Sequence, residues 1–366
     1  MPKNIRNTLL FKENQYNQDT YTTLDAISEA QKIAFYPILF QAVMSMRTSG
    51  ILAYLDKCGT SGTTFENLQE NIKLSPYAIQ LLLDMALSMH IIYQQDENYI
   101  IGKVGYFLLH NKMTQVNLNF TQDVCYQGMF HLQEALETGK PSGLSVFGDW
   151  KTIYPALSQL PEKAQKSWFE FDHFYSDNSF PAAFKYIEKS NPNHIYDVGG
   201  NTGKWAKYCV THHENVHVTL LDLPQQLKLA QKNIEDAGLT SRISTYPIDI
   251  LENGPLPQDA DIWWMSQFLD CFNEEQIVQI LTRIYNNMNE NARVYIMDMF
   301  WDRQPFQAGV LSVNAISFYF TCLANGNSRF YHSKVFYKCL TEAGFLVEQD
   351  IDNLGIGHTL LICRKR

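Results

Sequence analysis

A chain of 366 residues is long enough for two domains, each able to bury its own core. Its formal net charge of −9 disfavours a nucleic-acid partner, and no run reads as approaching the length that spans a bilayer. Seven cysteines (Cys58, Cys125, Cys209, Cys271, Cys322, Cys339 and Cys363) form no C-x-x-C pair and the N-terminus lacks a signal-peptide apolar region, so we expect reduced thiols in a cytoplasmic protein.

Residues 1–30 are polar and predict a loose arm with at most a short helix. From Ala34 to Leu55 apolar residues recur at helical spacing, with Gly50 separating two helices. Thr63-Thr-Phe-Glu66 reads as a capping box opening a helix through Asn71, and Ser75-Pro-Tyr77 caps another to about His90. Ile91-Ile-Tyr93 and Tyr99-Ile-Ile-Gly102 read as a two-stranded wing. Residues 1–114 thus form a mainly α, winged-helix domain. A DNA-reading helix would present Lys, Arg, Asn or Gln to the duplex. Between Lys73 and Lys103 there is no Lys or Arg, and the helix is rich in Leu and Met.

Residues 115–180 are expected to be helical and are unusually aromatic, with Phe130, Tyr154, Trp168 and Phe171 among many. They serve either core packing or a wall of a pocket for a planar ligand. From Pro181 helices alternate with apolar strands near 195–198, 216–221, 243–246, 261–265, 292–298, 344–348 and 358–363. That alternation predicts an α/β domain over 181–366, a parallel sheet with helices on both faces. Ligands in such sheets sit beyond the carboxyl ends of strands, where Asp197, Asp222, Asp249 and Asp270 fall.

The stretch His194 to Pro224 carries the strongest signal. Strand, Asp197-Val-Gly-Gly-Asn-Thr-Gly203, helix, strand and Asp222 form a β-α-β nucleotide site. The dinucleotide spacing G-x-G-x-x-G fails from Gly199 and from Gly200, and Gly203-Lys204 is followed by Trp205 instead of the Ser or Thr of a phosphate-cradling loop. What remains is D-x-G-x-G-x-G with Asn201 in the middle glycine slot, a residue that tolerates left-handed backbone. His213-Glu-Asn-Val-His217 matches the zinc-protease pattern H-E-x-x-H, but the second strand must begin at Val216, so the two histidines cannot share a helix face. We expect no metal.

These residues resemble motif I of the class I S-adenosylmethionine (SAM) methyltransferases, with Leu221-Asp-Leu-Pro224 similar to the acidic motif that follows. Tyr246-Pro-Ile-Asp249 is similar to the segment that holds adenine, Asp261 to Phe272 to the fourth strand and catalytic turn, and Ala292 to Asp298 to the fifth strand. With the N-terminal region, nearly the whole chain resembles small-molecule O-methyltransferases of the plant caffeic acid and bacterial antibiotic-tailoring type. The resemblance implies a Rossmann-like SAM methyltransferase sheet, parallel but closed by a C-terminal antiparallel hairpin, and a winged-helix domain that mediates homodimerisation. It implies SAM as cofactor and a small-molecule acceptor, with no nucleic acid and no membrane.

The resemblance places Tyr175 and Ser179 near the methionine end of the cofactor, and Gly199, Gly200, Asn201, Gly203, Leu223, Ile250, Ser266 and Gln267 around it. Asp222 reads as the ribose ligand or as a strand-end cap, Asp249 as an adenine-side residue or a plain turn, and Asp197 as an organiser of the loop or a contact to the amino acid end. Phe130, Asn314 and Phe318 are assigned to the acceptor. In the family a His removes the acceptor's proton; here Leu269-Asp-Cys-Phe272 puts Asp270 in that place. The carboxylate that would orient the His falls near Asp298, a second near Ser333, and Ser266 replaces a lysine. An ordinary Asp facing a phenol is mismatched by about six pKa units, roughly 8 kcal/mol. Asp270 serves if burial raises its pKa, if the acceptor is more acidic, or if His173 or His332 supplies the base. Otherwise the proton is lost to water and positioning does most of the work. O-methylation leads; C-methylation, a non-methylating SAM binder and a SAM-sensing winged-helix regulator are the alternatives.

Overall fold

The computed structural model describes residues 16–366; the expected arm over residues 1–15 lies outside them. The described chain divides into two compact units, residues 16–121 and 122–366.

In the first unit, Thr22 caps α1 (Thr23–Thr48) by accepting from Asp25 N. The loose arm expected through residue 30 is therefore helical from Thr23, because a side-chain cap and an acidic first turn outweigh the polar composition. Gly50, at φ +85°, separates α1 from α2 (Ile51–Cys58). The cap of α3 (Phe65–Asn71) is Thr64, one residue later than expected. Thr63 is instead drawn into an extended bridge with Tyr99, their backbones exchanging bonds of 3.1 and 2.8 Å. Ser75 caps α4 (Pro76–Ser88). The antiparallel wing is β1 (Ile92–Gln95) against β2 (Asn98–Ile101), followed by α5 (Lys103–His110) and α6 (Lys112–Phe120). Met46, Leu52, Leu55, Leu83 and Ile91 form this unit's core.

The second unit opens irregularly. Between residues 121 and 161 the chain makes π and 3-10 turns and one short helix, α7 (Leu132–Thr138). The helical stretch expected over 115–180 is interrupted at Gly139, Pro141, Gly143, Gly148, Pro155 and Pro161, and a long helix follows only with α8 (Glu162–Ser190). Then come β3 (His194–Val198), α9 (Lys204–His212), β4 (His217–Asp222), α10 (Pro224–Asp236), β5 (Ile243–Pro247), β6 (Ile262–Ser266), α11 (Glu274–Asn287), β7 (Arg293–Asp298), α12 (Gln307–Tyr319), α13 (Ser333–Glu342), β8 (Phe345–Leu354) and β9 (His358–Lys365).

The sheet order is β5-β4-β3-β6-β7-β9-β8. The first five strands are parallel, and β9 runs antiparallel to both β7 and β8. Strand alternation sends side chains to two separate cores. Ile262 and Trp264 of β6 join Ile195, Trp205 and Leu227 on one face, while Trp263 and Met265 join Ile277, Leu281 and Phe336 on the other. Each such fully buried apolar side chain is worth about 1.5–3 kcal/mol. The order reverses between β3 and β6, and the crevice at their carboxyl ends is where this architecture opens a site.

One stretch, Gln307–Ala324, is long and apolar enough by length and composition to cross a membrane, which corrects the expectation that no run approaches that length. A π turn extends α12 without interruption, and 39% of the stretch is buried, including Val310, Val313, Tyr319 and Leu323.

Candidate active site

The loop after β3 is shaped by contacts that exclude side chains. Gly199 has φ +73°, and a Cβ there would lie 2.2 Å from the Phe268 ring. A Cβ on Gly200 would sit 2.8 Å from Asp197 Oδ2. Asn201 takes φ +49° in the middle slot, the conformation its side chain tolerates. Gly203, at φ +78°, hands the chain to α9.

Two carboxylates, Asp197 and Asp222, touch this loop, and Asp249 follows β5. Asp197 is 2% exposed; burial first and then Asp222 push it up to about 8, and its Oδ2 has no partner. Asp222 Oδ2 accepts from Asn201 N at 2.8 Å and Oδ1 from Leu223 N at 2.7 Å. Burial pushes Asp222 up to about 6 against those two bonds. Asp222 thus both closes β4 and ties it to the loop, joining the two readings its position allowed. Asp249 Oδ1 accepts from Leu251 N at 2.9 Å in a local turn, and the intervening Ile250 is buried.

Helix α8 lies along the loop. Asp172 Oδ2 accepts from Asn201 Nδ2 at 3.3 Å, and His173 Nε2 lies 3.1 Å from Thr202 Oγ1. Burial pushes Asp172 up to about 7, although 26% of its side chain remains accessible, and pushes His173 down to about 4. A neutral imidazole of such low basicity is a poor base. Tyr175 and Ser179, one turn apart, are buried. The ammonium of Lys204 is paired with Asp177 at 2.7 Å.

Beyond β6 the chain passes Ser266, whose buried Oγ has no partner, then Gln267 at φ +47°, and reaches Asp270 in a 3-10 turn. Asp270 is 3% exposed. Burial pushes it up to about 7, with Asp172 adding to the rise and the Cys271 thiol, 3.5 Å from Oδ1, opposing it. Asp298, at the end of β7, is raised well above the usual carboxylate range by its own burial and then by Asp270, so the two groups titrate together. Around the turn Asn325 Nδ2 donates to Cys271 O at 2.8 Å and to Tyr154 Oη at 3.2 Å, and Trp168 Nε1 donates to Tyr319 Oη at 2.6 Å.

Other candidates stand elsewhere. His332 Nδ1 accepts from Lys334 N at the start of α13 and lies 3.3 Å from Asp302. Ser333 bonds the same Asp302 through N and Oγ, so that pair serves the helix cap and not Asp270. Phe130, assigned to the acceptor, is 88% exposed on a 3-10 turn, and Asn314 and Phe318, assigned likewise, are exposed on α12. His213 ends α9 and His217 begins β4, which separates the H-E-x-x-H histidines. Among the described residues no group of three or more His, Cys, Asp or Glu could hold a metal ion. Sequence reasoning passed over Asp172 and Asn325. Asp172 had a signal, a charge inside an aromatic helical run; Asn325, in a turn, had none.

The site therefore offers a glycine cradle, a carboxylate beside it for vicinal hydroxyls, an unpartnered buried oxygen on Asp197, and one carboxylate poised to take a proton near neutrality.

Residues 180–346 match the O-methyltransferase domain family, and residues 28–99 match the Dimerisation2-like domain family. The chain is 24% identical to L-tyrosine C(3)-methyltransferase of Streptomyces lavendulae over 83% of its own length and 84% of that protein's. In fold it is similar to the SAM-dependent methyltransferase SibL in its apo form (TM-score 0.72, 21% identity, covering 93% of this chain and 99% of that one). It is also similar to the O-methyltransferase NcsB1 of neocarzinostatin biosynthesis, solved with SAM and 2-hydroxy-5-methyl naphthoic acid (TM-score 0.69, 15% identity, 95% and 100%).

Proposed function

The chain belongs to the SAM-dependent O-methyltransferases, and on that footing we propose that it methylates a small aromatic acceptor with the Asp270–Asp298 pair as its base. The residues present suit the cofactor. Gly199, Gly200, Asn201 and Gly203 leave room for close backbone approach, and Asp222 suits a ribose diol. Tyr175, Ser179, Leu223, Asp249, Ile250, Ser266 and Gln267 complete its surroundings. Asp172, 3.9 Å from His173 Nε2, and Asp197, whose Oδ2 has no partner, suit a cationic ligand. When bound, SAM supplies an electrophilic methyl group on a sulfonium.

The protein's share is deprotonation and orientation. The observation that carries the reading is a buried Asp270 raised toward neutrality, near a buried Asp298 that it raises in turn. The mismatch with a phenol shrinks from about six units to about three, close to what a histidine would face. His173, low in basicity and bonded to Thr202, holds the loop instead of taking the proton. Trp168, Tyr154 and Tyr319 offer flat apolar surface for a ring.

Radiolabelled methyl transfer from SAM to a panel of phenols tests this. Asp270→Asn is expected to lower kcat by about 10²-fold or more and to leave S-adenosylhomocysteine binding within about twofold. Unchanged turnover in Asp270→Asn overturns the role. Ring-carbon methylation is a second reading, favoured by the relative named as a C(3)-methyltransferase that aligns over most of this chain. Deprotonating a phenol serves either outcome, and NMR of the product separates an O-methyl from a C-methyl group.

The winged-helix unit supports a homodimer. Along α1, Leu24, Ile27, Phe35 and Ile38 share one face at helical spacing and are all more than half exposed, a stripe that a single chain leaves in water. The seven cysteines are free, which supports a reducing, cytoplasmic setting.

A further inference from the structure

His358, at the start of β9, is fully buried and touches two residues of the cofactor site. Its Nδ1 lies 2.8 Å from Ser179 Oγ and its Nε2 lies 3.2 Å from Gln267 Oε1. The amide oxygen can only accept, so Nε2 carries the hydrogen and Ser179 donates to Nδ1. Burial pushes His358 down to about 4, which keeps the ring neutral and this tautomer fixed. The turn between β8 and β9 closes over the pair: a Cβ on Gly355 would sit 2.4 Å from Ser179 Oγ.

The consequence falls on Gln267. Its backbone holds φ +47°, an uncommon conformation for a residue with a side chain, and its N–H donates to Met297 O at 2.9 Å. With Oε1 committed to His358, the amide can offer only N–H, and Nε2 has no partner among the described residues. The next residue, Phe268, packs its ring on Gly199, so the chain at Gln267 runs beside the glycine loop. Ser266 Oγ, on its other side, is likewise unpartnered. The other side chains described in the site are carboxyl groups (Asp172, Asp197, Asp222 and Asp270), and Lys204 is paired with Asp177. A ligand carboxylate entering here needs neutral donors fixed in advance.

We propose that the Gln267 amide, locked by the Ser179–His358 pair, receives the α-carboxylate of the cofactor's methionine tail, with His358 as a positioning residue. This rests on the cofactor reading above. Calorimetry on the full chain with S-adenosylhomocysteine and with 5′-methylthioadenosine, which lacks the tail, tests it. Gln267→Leu is expected to weaken S-adenosylhomocysteine about tenfold or more and to leave 5′-methylthioadenosine within about twofold. Gln267→Glu, which keeps the shape but replaces the donor by an anionic oxygen, weakens the tailed nucleoside at least as much. His358→Leu behaves like Gln267→Leu, and the double variant is no weaker than Gln267→Leu alone, since His358 acts through the amide. Equal loss of both nucleosides, unchanged binding in Gln267→Leu, or additive losses overturn the proposal. Should His358→Leu fail to fold by circular dichroism, the half-exposed Gln267 still decides. Wild-type protein that binds neither nucleoside sinks the cofactor reading itself.

Discussion

Asp270 shows how a residue that looks wrong by type can be right by environment. A carboxylate facing a phenol is too weak a base by several kcal/mol, and burial, with Asp172 adding to the rise, removes about half of that deficit. The active form is the deprotonated one, so kcat/KM is expected to rise with pH through a limb near 7 and then level off. A limb near 4, where an ordinary Asp titrates, contradicts the assignment. Asp197 makes a separate prediction about stability. Its folded value, about 8, lies above the ordinary 3.8, so the folded chain holds a proton that the unfolded chain releases between those pH values. Stability from this group is therefore greatest at low pH and is lost as pH rises through that window. Thermal melts from pH 5 to 8.5 should show Tm falling more steeply in the wild type than in Asp197→Asn; equal slopes contradict it. Legibility at this scale was uneven. The left-handed Asn201 could be read from residue type, but the fixed orientation of Gln267 could not, because His358 is 91 positions away in sequence.

Among the elements, strands were easier to read than turns. The strands near 195, 216, 243, 261, 292 and 358 were marked by apolar runs between turn residues, and each lies close to where the pattern put it. The capping box slipped by one residue because Thr63 was claimed by a bridge to Tyr99, a partner outside the local window. The stretch before α8 failed differently: its aromatic richness resembled a helix face, but its glycines and prolines decided the backbone. The apolar stripe of α1 carries a prediction of its own. Ile27→Asp with Ile38→Asp places two charges on that exposed stripe, and light scattering should then report a monomer where the wild type is a dimer. A wild type that already scatters as a monomer contradicts the dimer.

Across the whole molecule, the sequence read the second unit's organisation because one topology satisfies its alternation of strand and helix. Right-handed crossovers, two buried faces and a reversal of strand order put every strand-end carboxylate on the same rim. The acceptor could not be read in this way. Phe130, Asn314 and Phe318 are exposed in a single chain, so whatever encloses the acceptor is not written in this chain's local patterns. The claim at the centre is that the loop from Gly199 to Gly203 and Asp222 hold a methionine-derived nucleoside. Titrating S-adenosylhomocysteine into the pure full-length protein tests it most directly. One site per chain is expected, with affinity falling about tenfold or more in Asp222→Ala as the ribose hydroxyls lose their acceptor. No heat with the wild type, or equal affinity in Asp222→Ala, contradicts it.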